Sequence, residues 1–317
     1  MATTTSITTS YSGEFAGRYI AAALLSAPTL EQGGITIHPN VLYKQVIQRV
    51  ATDGIVKNAT CDFDATSTIT LTEKVLNPEE FQVNLSLCRK DFAATWQAVE
   101  MGYSAFKNPP KSFSDFLIAH VAEKVASHME GVIWEGNNAS AGEFAGIMRQ
   151  LITDAELPSA QEIASTTVDA TNVIAELGKI VDACPARVYG KEDLKLYLSS
   201  NMVRAYIRAL GGFGASGLGA NGVNAQGTQW YSNGSLSFDG VPIFLAQGLG
   251  SNKALLAQTS NLHFATGLLS DLNEVRLIDT AESLGDQNIR VVMRFTADAK
   301  VGFAGDVVTY GVTNTAN

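Results

Sequence analysis

Apolar and polar residues alternate along two neighbouring stretches, Thr66–Thr72 (TSTITLT) and Phe81–Leu87 (FQVNLSL). A period of two marks half-buried strands. Between the stretches, Leu76-Asn-Pro-Glu79 supplies turn chemistry, with Pro fixing φ and Asn favouring the turn start. The pattern predicts a long β-hairpin over Cys61–Cys88. Each arm has one apolar face, and an isolated two-stranded hairpin is marginal in water. The hairpin is therefore expected to lie on a surface that it does not itself supply.

The rhythm changes downstream. Phe113, Phe116, Leu117, Val121, Val125, Met129, Val132 and Ile133 recur at helical spacing. Pro109-Pro110 precedes them, Ser112 is placed to cap with Asp115 three residues on, and Gly136 follows. This predicts one helix over 112–135, about 36 Å long.

Elsewhere the elements are shorter. The pattern predicts a strand at Ile35–Ile37, a helix opening at Pro39 and running through Val50, and a helix from Asp91 to Gly102. It predicts an amphipathic turn at Ile147–Leu151, a helix at Thr171–Ala183, a buried strand at Ala186–Tyr189 and a helix at Lys191–Leu210. Gly211–Gly234 reads as a flexible loop. Strands follow at Leu236–Phe238, Val241–Ala246 and Lys253–Gln258, with a turn at Asp239-Gly240. The last third is strand-like over Val275–Ile278, Asn288–Ala297 and Ala299–Val312. A hairpin turn is expected at Asp298, and bulges at Gly302 and Gly305. Met1–Ser12 is polar and of low complexity, and residues 1–34 read as an arm rather than a domain. Phe15, Tyr19, Ile20, Leu24 and Leu25 form its apolar patch.

Composition narrows the classes. The 317 residues are 46% hydrophobic and 17% charged, enough for a substantial core with a bland surface. A net charge of −9 without a basic run argues against tightly gripped nucleic acid, because phosphate contacts need clustered Lys and Arg. No stretch has the ~20 apolar residues of a membrane span. The start of the chain lacks the basic and apolar segments of a secretory signal, so N-x-S/T at Asn58, Asn84, Asn138 and Asn233 is expected to be fortuitous. Synthesis in the cytoplasm is expected. Cys61, Cys88 and Cys184 are an odd set without CxxC spacing, which favours reduced thiols, although Cys61 and Cys88 could face each other across the hairpin base.

Candidate chemistry is sparse. Gly212-Phe-Gly-Ala-Ser-Gly217 fits GxGxxG, but a helix precedes it and a Gly/Asn-rich stretch follows, the wrong context for a dinucleotide fold. His120 and His128, with Glu123 and Glu130 nearby, are eight residues apart, too far for one ion without outside ligands. His38 and His263 have no evident partner. Cys184 before Pro185 lacks an activating neighbour. Asp62, Asp64, Glu79, Glu80, Asp115 and Glu282 form no distinctive pair. No catalytic residue, cofactor or metal is expected, and the chain is not read as an enzyme.

Four segments carry a family resemblance: Gly13–Leu25 (GEFAGRYIAAALL), Gly34–Lys44 (GITIHPNVLYK), Glu80–Phe92 (EFQVNLSLCRKDF) and Phe113–Val121 (FSDFLIAHV). Together with the order arm, long hairpin, long helix, Gly-punctuated α/β region and closing strands, they resemble the HK97-like major capsid proteins of tailed bacteriophages. The likeness covers essentially the whole chain. It implies an α+β capsid fold with an N-terminal arm at 1–34, an extended E-loop at 60–90 and a spine helix at 112–135. A peripheral domain would be built from 35–59, 91–164 and 266–317, and an axial domain from 165–265. Contacts between subunits would run through Ile69, Leu71, Phe81, Val83 and Leu85 of the loop and through Phe15, Tyr19 and Ile20 of the arm.

The family implies self-assembly into pentamers and hexamers of an icosahedral head in the virion. Portal, scaffold or decoration proteins would be partners, with loose contact to packaged double-stranded DNA and none to membranes. Too few residues precede position 35 for a cleaved scaffolding segment, so a separate scaffold or none is expected. Lys74 lies on the loop without an identified acceptor, and no covalent cross-link is expected. Two rival readings are an encapsulin-like compartment shell and a nucleotide-binding enzyme using the Gly-rich loop.

Overall fold

Among its described residues, two six-stranded sheets and one 25-residue helix organise this chain, seen here in a computed structural model. It describes residues 9–12, 27–41, 43–52, 69–88, 111–211, 236–267, 274–280 and 288–315, with positions 54, 56, 58, 59, 61 and 285 between them. In chain order the first elements are β1 (Thr9–Ser12), α1 (Pro28–Glu31), β2 (Thr36–Pro39), β3 (Gln45–Thr52), β4 (Ile69–Leu76) and β5 (Glu79–Cys88). Then come α2 (Lys111–Glu135), α3 (Ile147–Leu151), β6 (Glu162–Ile163), α4 (Val173–Asp182), β7 (Leu194–Leu198) and α5 (Ser200–Gly211). The remainder is β8 (Ser237–Phe238), β9 (Val241–Leu245), β10 (Ala254–Gln258), β11 (Leu262–Thr266), β12 (Glu274–Asp279), β13 (Asn288–Val301) and β14 (Val308–Tyr310).

The first sheet runs β1-β12-β13-β11-β2, with β5 added along β13. Its spine is β13, 14 residues long, which pairs with β12 on one side and with β5 over Asn288–Ala297 on the other. Alternate residues of β13, Val291, Met293 and Phe295, are buried in the same core as Met129, Ile133 and Trp134 of α2 and Ile147, Met148 and Leu151 of α3. The predicted long helix is thus present, and its stripe from Leu117 to Ile133 is the buried face. A helix of this length stays in place because one side is covered along most of it, not through propensity alone.

The second sheet runs β6-β14-β10-β7-β9-β8. Its own core joins Leu177 and Ile180 of α4, Met202 and Tyr206 of α5, and Leu196, Leu198, Leu256 and Tyr310 of the sheet. This sheet takes β14 from the C-terminal segment assigned by sequence to the peripheral domain, whereas β11 lies in the first sheet. Tyr197, Phe244 and Leu255 point from the second sheet into the first core. Trp134 and Tyr197 meet there, with ring centroids 5.2 Å apart.

Several expectations are corrected. Thr66–Thr72 and Phe81–Leu87 are not the two arms of one hairpin: β4 pairs with β3, and β5 pairs with β13. Residues 45–50 are therefore strand and not the end of a helix opened at Pro39. Leu194–Leu198 is a central strand, buried along most of its length between β10 and β9, so the helix begins only at Ser200. Ala186–Tyr189 is a run of turns, not a strand. Asp298 lies inside β13 and turns nothing, because the strand continues to pair with β11. Gly302 ends that strand where a Cβ would stand 2.7 Å from Asn261 Oδ1, and Gly305 lies in a 3₁₀ turn; neither is a bulge. The predicted helix at 91–102 and the Gly-rich loop from 212 to 234 lie outside the described residues.

Candidate assembly surface

Strands β3 and β4 form a separate two-stranded antiparallel ribbon. Its register places Val46 opposite Val75, Gln48 opposite Glu73, Val50 opposite Leu71 and Thr52 opposite Ile69. Because side chains alternate across a strand, Val46, Gln48, Val50, Ile69, Leu71, Glu73 and Val75 share one face. That face is apolar and open: Val50 is 62% exposed, Leu71 62% and Ile69 70%, and Val46 and Val75 are exposed as well. One polar pair interrupts it, Gln48 Nε2 donating to Glu73 Oε1 at 2.8 Å. A ribbon of this kind does not hold its shape in water by itself, and a contiguous exposed apolar strip marks an interaction site.

The opposite face roots the ribbon on its own subunit. Leu76 is fully buried with Val41 and Ala265, and Ile47 packs beside them. Lys74 Nζ lies 2.9 Å from Asp154 Oδ2 and 3.6 Å from Glu156 Oε2. Burial alone would lower the Lys74 pKa, but the hydrogen bond and charge of Asp154, then those of Glu156, outweigh it and raise the ammonium above the usual lysine value. Arg49 stacks its guanidinium 5.1 Å over the Phe303 ring.

Two further contacts complete the seat. Asn77 N–H donates to Asp298 Oδ2 at 2.8 Å. Burial pushes that carboxyl up to about 6, although the Asn77 bond partly opposes the shift. The histidines without evident partners find each other: His38 Nε2 and His263 Nδ1 are 2.9 Å apart, and Gln45 Nε2 lies 3.2 Å from His38 Nδ1. Burial, then the neighbouring His38, lowers the His263 pKa to about 4, and burial lowers that of His38.

The sequence-predicted contact residues divide accordingly. Ile69 and Leu71 lie on the open ribbon face. Phe81 and Val83 do not, since β5 belongs to the first sheet and both pack against its core; the Phe81 ring is 5.8 Å from that of Phe295 and 6.1 Å from that of Phe144. Leu85 on the same strand is 42% exposed. With Val121, Val125 and Met129 of α2 it lines an open groove of about 770 Å³. Phe15, Tyr19 and Ile20 lie outside the described residues. Val46 and Val50 were missed, because 39–50 read as helix, and Val75 because the alternation was read only as far as Thr72. Val46, Ile47, Val50 and Thr52 are β-branched, and that enrichment was the available signal.

The remaining candidates include two that line the groove beside Leu85, His120 and His128. His120 and His128 are exposed on α2, and His128 Nε2 lies 3.1 Å from the Gly142 carbonyl. Cys61, Cys88 and Cys184 are free thiols, and burial pushes the Cys184 thiol up. Among the described residues no three His, Cys, Asp or Glu converge as a metal site, and no helix is long and apolar enough to cross a membrane.

Comparison with solved structures places this architecture. The capsid subunit of a native GTA particle aligns with a TM-score of 0.59 at 10% identity, over 91% of each chain. The satellite phage P4 procapsid, a structure that includes the size-determination protein Sid, aligns at 0.61 and 10% identity over 92% of this chain and 89% of that one. The capsid of the Myoviridae phage XM1 aligns at 0.54 and 12% identity, over 90% and 92%. No family model and no curated protein sequence matches the chain. The fold is that of phage capsid subunits, and the α+β, HK97-like architecture expected from the sequence is the one observed.

Proposed function

We propose that this chain, built on the phage capsid fold, is a major capsid protein that self-assembles into the pentamers and hexamers of an icosahedral head enclosing double-stranded DNA. The observation that carries the reading is the ribbon: five exposed apolar side chains, Val46, Val50, Ile69, Leu71 and Val75, on a two-stranded element separate from the two large sheets and their cores. Head-to-tail contacts between copies close into rings, and the apolar face would be covered by the next copy. The extended loop is then built on the β3–β4 ribbon, Gln45–Thr52 with Ile69–Leu76, rather than on a hairpin over 60–90. Helix α2 is the spine, the body around β13 the peripheral domain, and the sheet around β10 the axial domain.

In this reading the protein resides in the virion. Portal and scaffold or decoration proteins are its further partners, and the acidic chain touches packaged DNA loosely. The structural neighbours are phage and GTA capsids, which favours a head over an encapsulin-like compartment or a nucleotide-binding enzyme. Negative-stain microscopy of the purified full-length chain tests it. Capsomer rings or icosahedral shells are the expected result, and a monodisperse monomer under all assembly conditions overturns it.

A further inference from the structure

Two apolar surfaces stand open among the described residues, and they differ in form. One is the ribbon face, a strip two strands wide whose single charge is Glu73. The other is the groove of about 770 Å³ between β5 and α2, with apolar walls at Val83 and Leu85 of the strand and Val125 of the helix. Along its α2 rim stand His120, Lys124 and His128, all exposed. They are four residues apart and so form one row on the helix. The β5 rim carries Glu80 and Gln82, which leaves every cationic group of the groove on the helix side.

The two surfaces match in length and charge. From His120 to His128 the helix rises about 12 Å, and from Ile69 to Glu73 the strand runs about 13 Å. A strip with one acid at its end faces a groove with a cationic row on one rim. Within one subunit, however, they are kept apart. Only Asn77 and Pro78 separate β4 from β5, and β5 is paired with β13 from Glu79 to Cys88. Turning the ribbon back over β5 would pull Leu76 from its buried site, part Lys74 from Asp154 and free the Asn77 N–H from Asp298.

We propose that the groove between β5 and α2 is the seat for the β3–β4 ribbon of a second copy, with the ribbon's Glu73 set toward Lys124. Because strip and groove are different surfaces of one chain, the contact runs head to tail, the kind that closes into rings. The proposal rests on the reading of the ribbon as the assembly element, and adds which surface of the neighbour receives it.

Particles assembled from isotope-labelled full-length chain and unlabelled chain carrying the photo-cross-linker benzoylphenylalanine at Leu85 test the seat. The expected adduct joins position 85 to a labelled peptide from 45–52 or 69–76. Lys124→Glu and Glu73→Lys alter exposed side chains, and each is expected to raise the concentration needed for assembly roughly threefold or more, with recovery in the double variant. Adducts confined to the same copy, such as to residues 89–110, or to another segment of the neighbour, overturn the seat while leaving ribbon-driven assembly standing. Single variants that assemble like the wild type, or a double variant no better than either, also overturn it. A wild-type chain that forms no particles overturns both readings.

Discussion

The carboxylate of Glu130 on α2 accepts both the backbone N–H of Thr29, at 3.0 Å, and the Thr29 hydroxyl, across 101 residues of sequence. The same hydroxyl accepts Trp134 Nε1–H at 2.9 Å, and Gly248 N–H reaches Glu130 Oε1 at 3.3 Å. One buried acid, 4% exposed, thereby joins α1, the long helix and the turn after β9.

Removing that acid should be costly. Glu130→Ala leaves the Thr29 and Gly248 donors buried without an acceptor, each worth about 1–3 kcal/mol. A loss of roughly 3 kcal/mol in chemical denaturation is expected, and a change below about 1 kcal/mol would refute the role.

Gly248 should tolerate no side chain. A Cβ there would collide with the Glu130 carbonyl, a backbone atom that cannot swing away. Gly248→Ala is expected to cost about 2 kcal/mol or more, measured as a lowered denaturation midpoint.

Ribbon and sheet positions should respond oppositely. Leu71→Asp or Val50→Asp adds a charge to an open face and is expected to change subunit stability by about 0.5 kcal/mol or less, yet to block formation of particles in sedimentation. Phe81→Ala removes a half-buried ring packed against the subunit's own core and is expected to destabilise the fold by about 2 kcal/mol. If Leu71→Asp assembles like the wild type, the open face is not an interface.

Two titrations should shape the pH dependence with opposite signs. Asp298 has a folded pKa raised to about 6, so the folded state holds the proton more tightly than the unfolded one. Its contribution to stability is lost as pH rises from about 4 to about 6. Asp298→Asn keeps an oxygen for Asn77 N–H and is expected to stabilise the protein above pH ~6 by up to about 2–3 kcal/mol. His263 has a folded pKa lowered to about 4, so the unfolded state takes up its proton first. Stability falls as pH drops from about 6.5 toward 4, by up to roughly 3 kcal/mol. Urea denaturation of Asp298→Asn and His263→Gln between pH 4 and 8 separates the two slopes. Wild-type-like slopes in the variants would count against either assignment.

Elements whose identity rests on neighbours in sequence were legible in it. Helix α2 has its stripe, its preceding prolines and its closing glycine within one window. Helix α4 and the turn at Asp239-Gly240, where φ is 46° and 77°, are likewise local, since that turn demands left-handed residues and the sequence supplies them.

What the sequence by itself determined, then, was the long amphipathic helix, the tight turns and the presence of alternating strands needing a surface. Tertiary structure alone decided the partners. Ile69–Leu76 alternates equally well whether it pairs with β5 or with β3, and only the long-range match of β5 to β13 packs Phe81 and Val83 against the core while leaving Val50 and Leu71 outside. Leu194–Leu198 is strand because β9 and β10 flank it, and Asp298 stays extended because β11 pairs across it. Strand pairing is a contact between distant segments, so its energy is absent from any local window; the same holds for the Gln45–His38–His263 chain, whose histidines stand 225 residues apart.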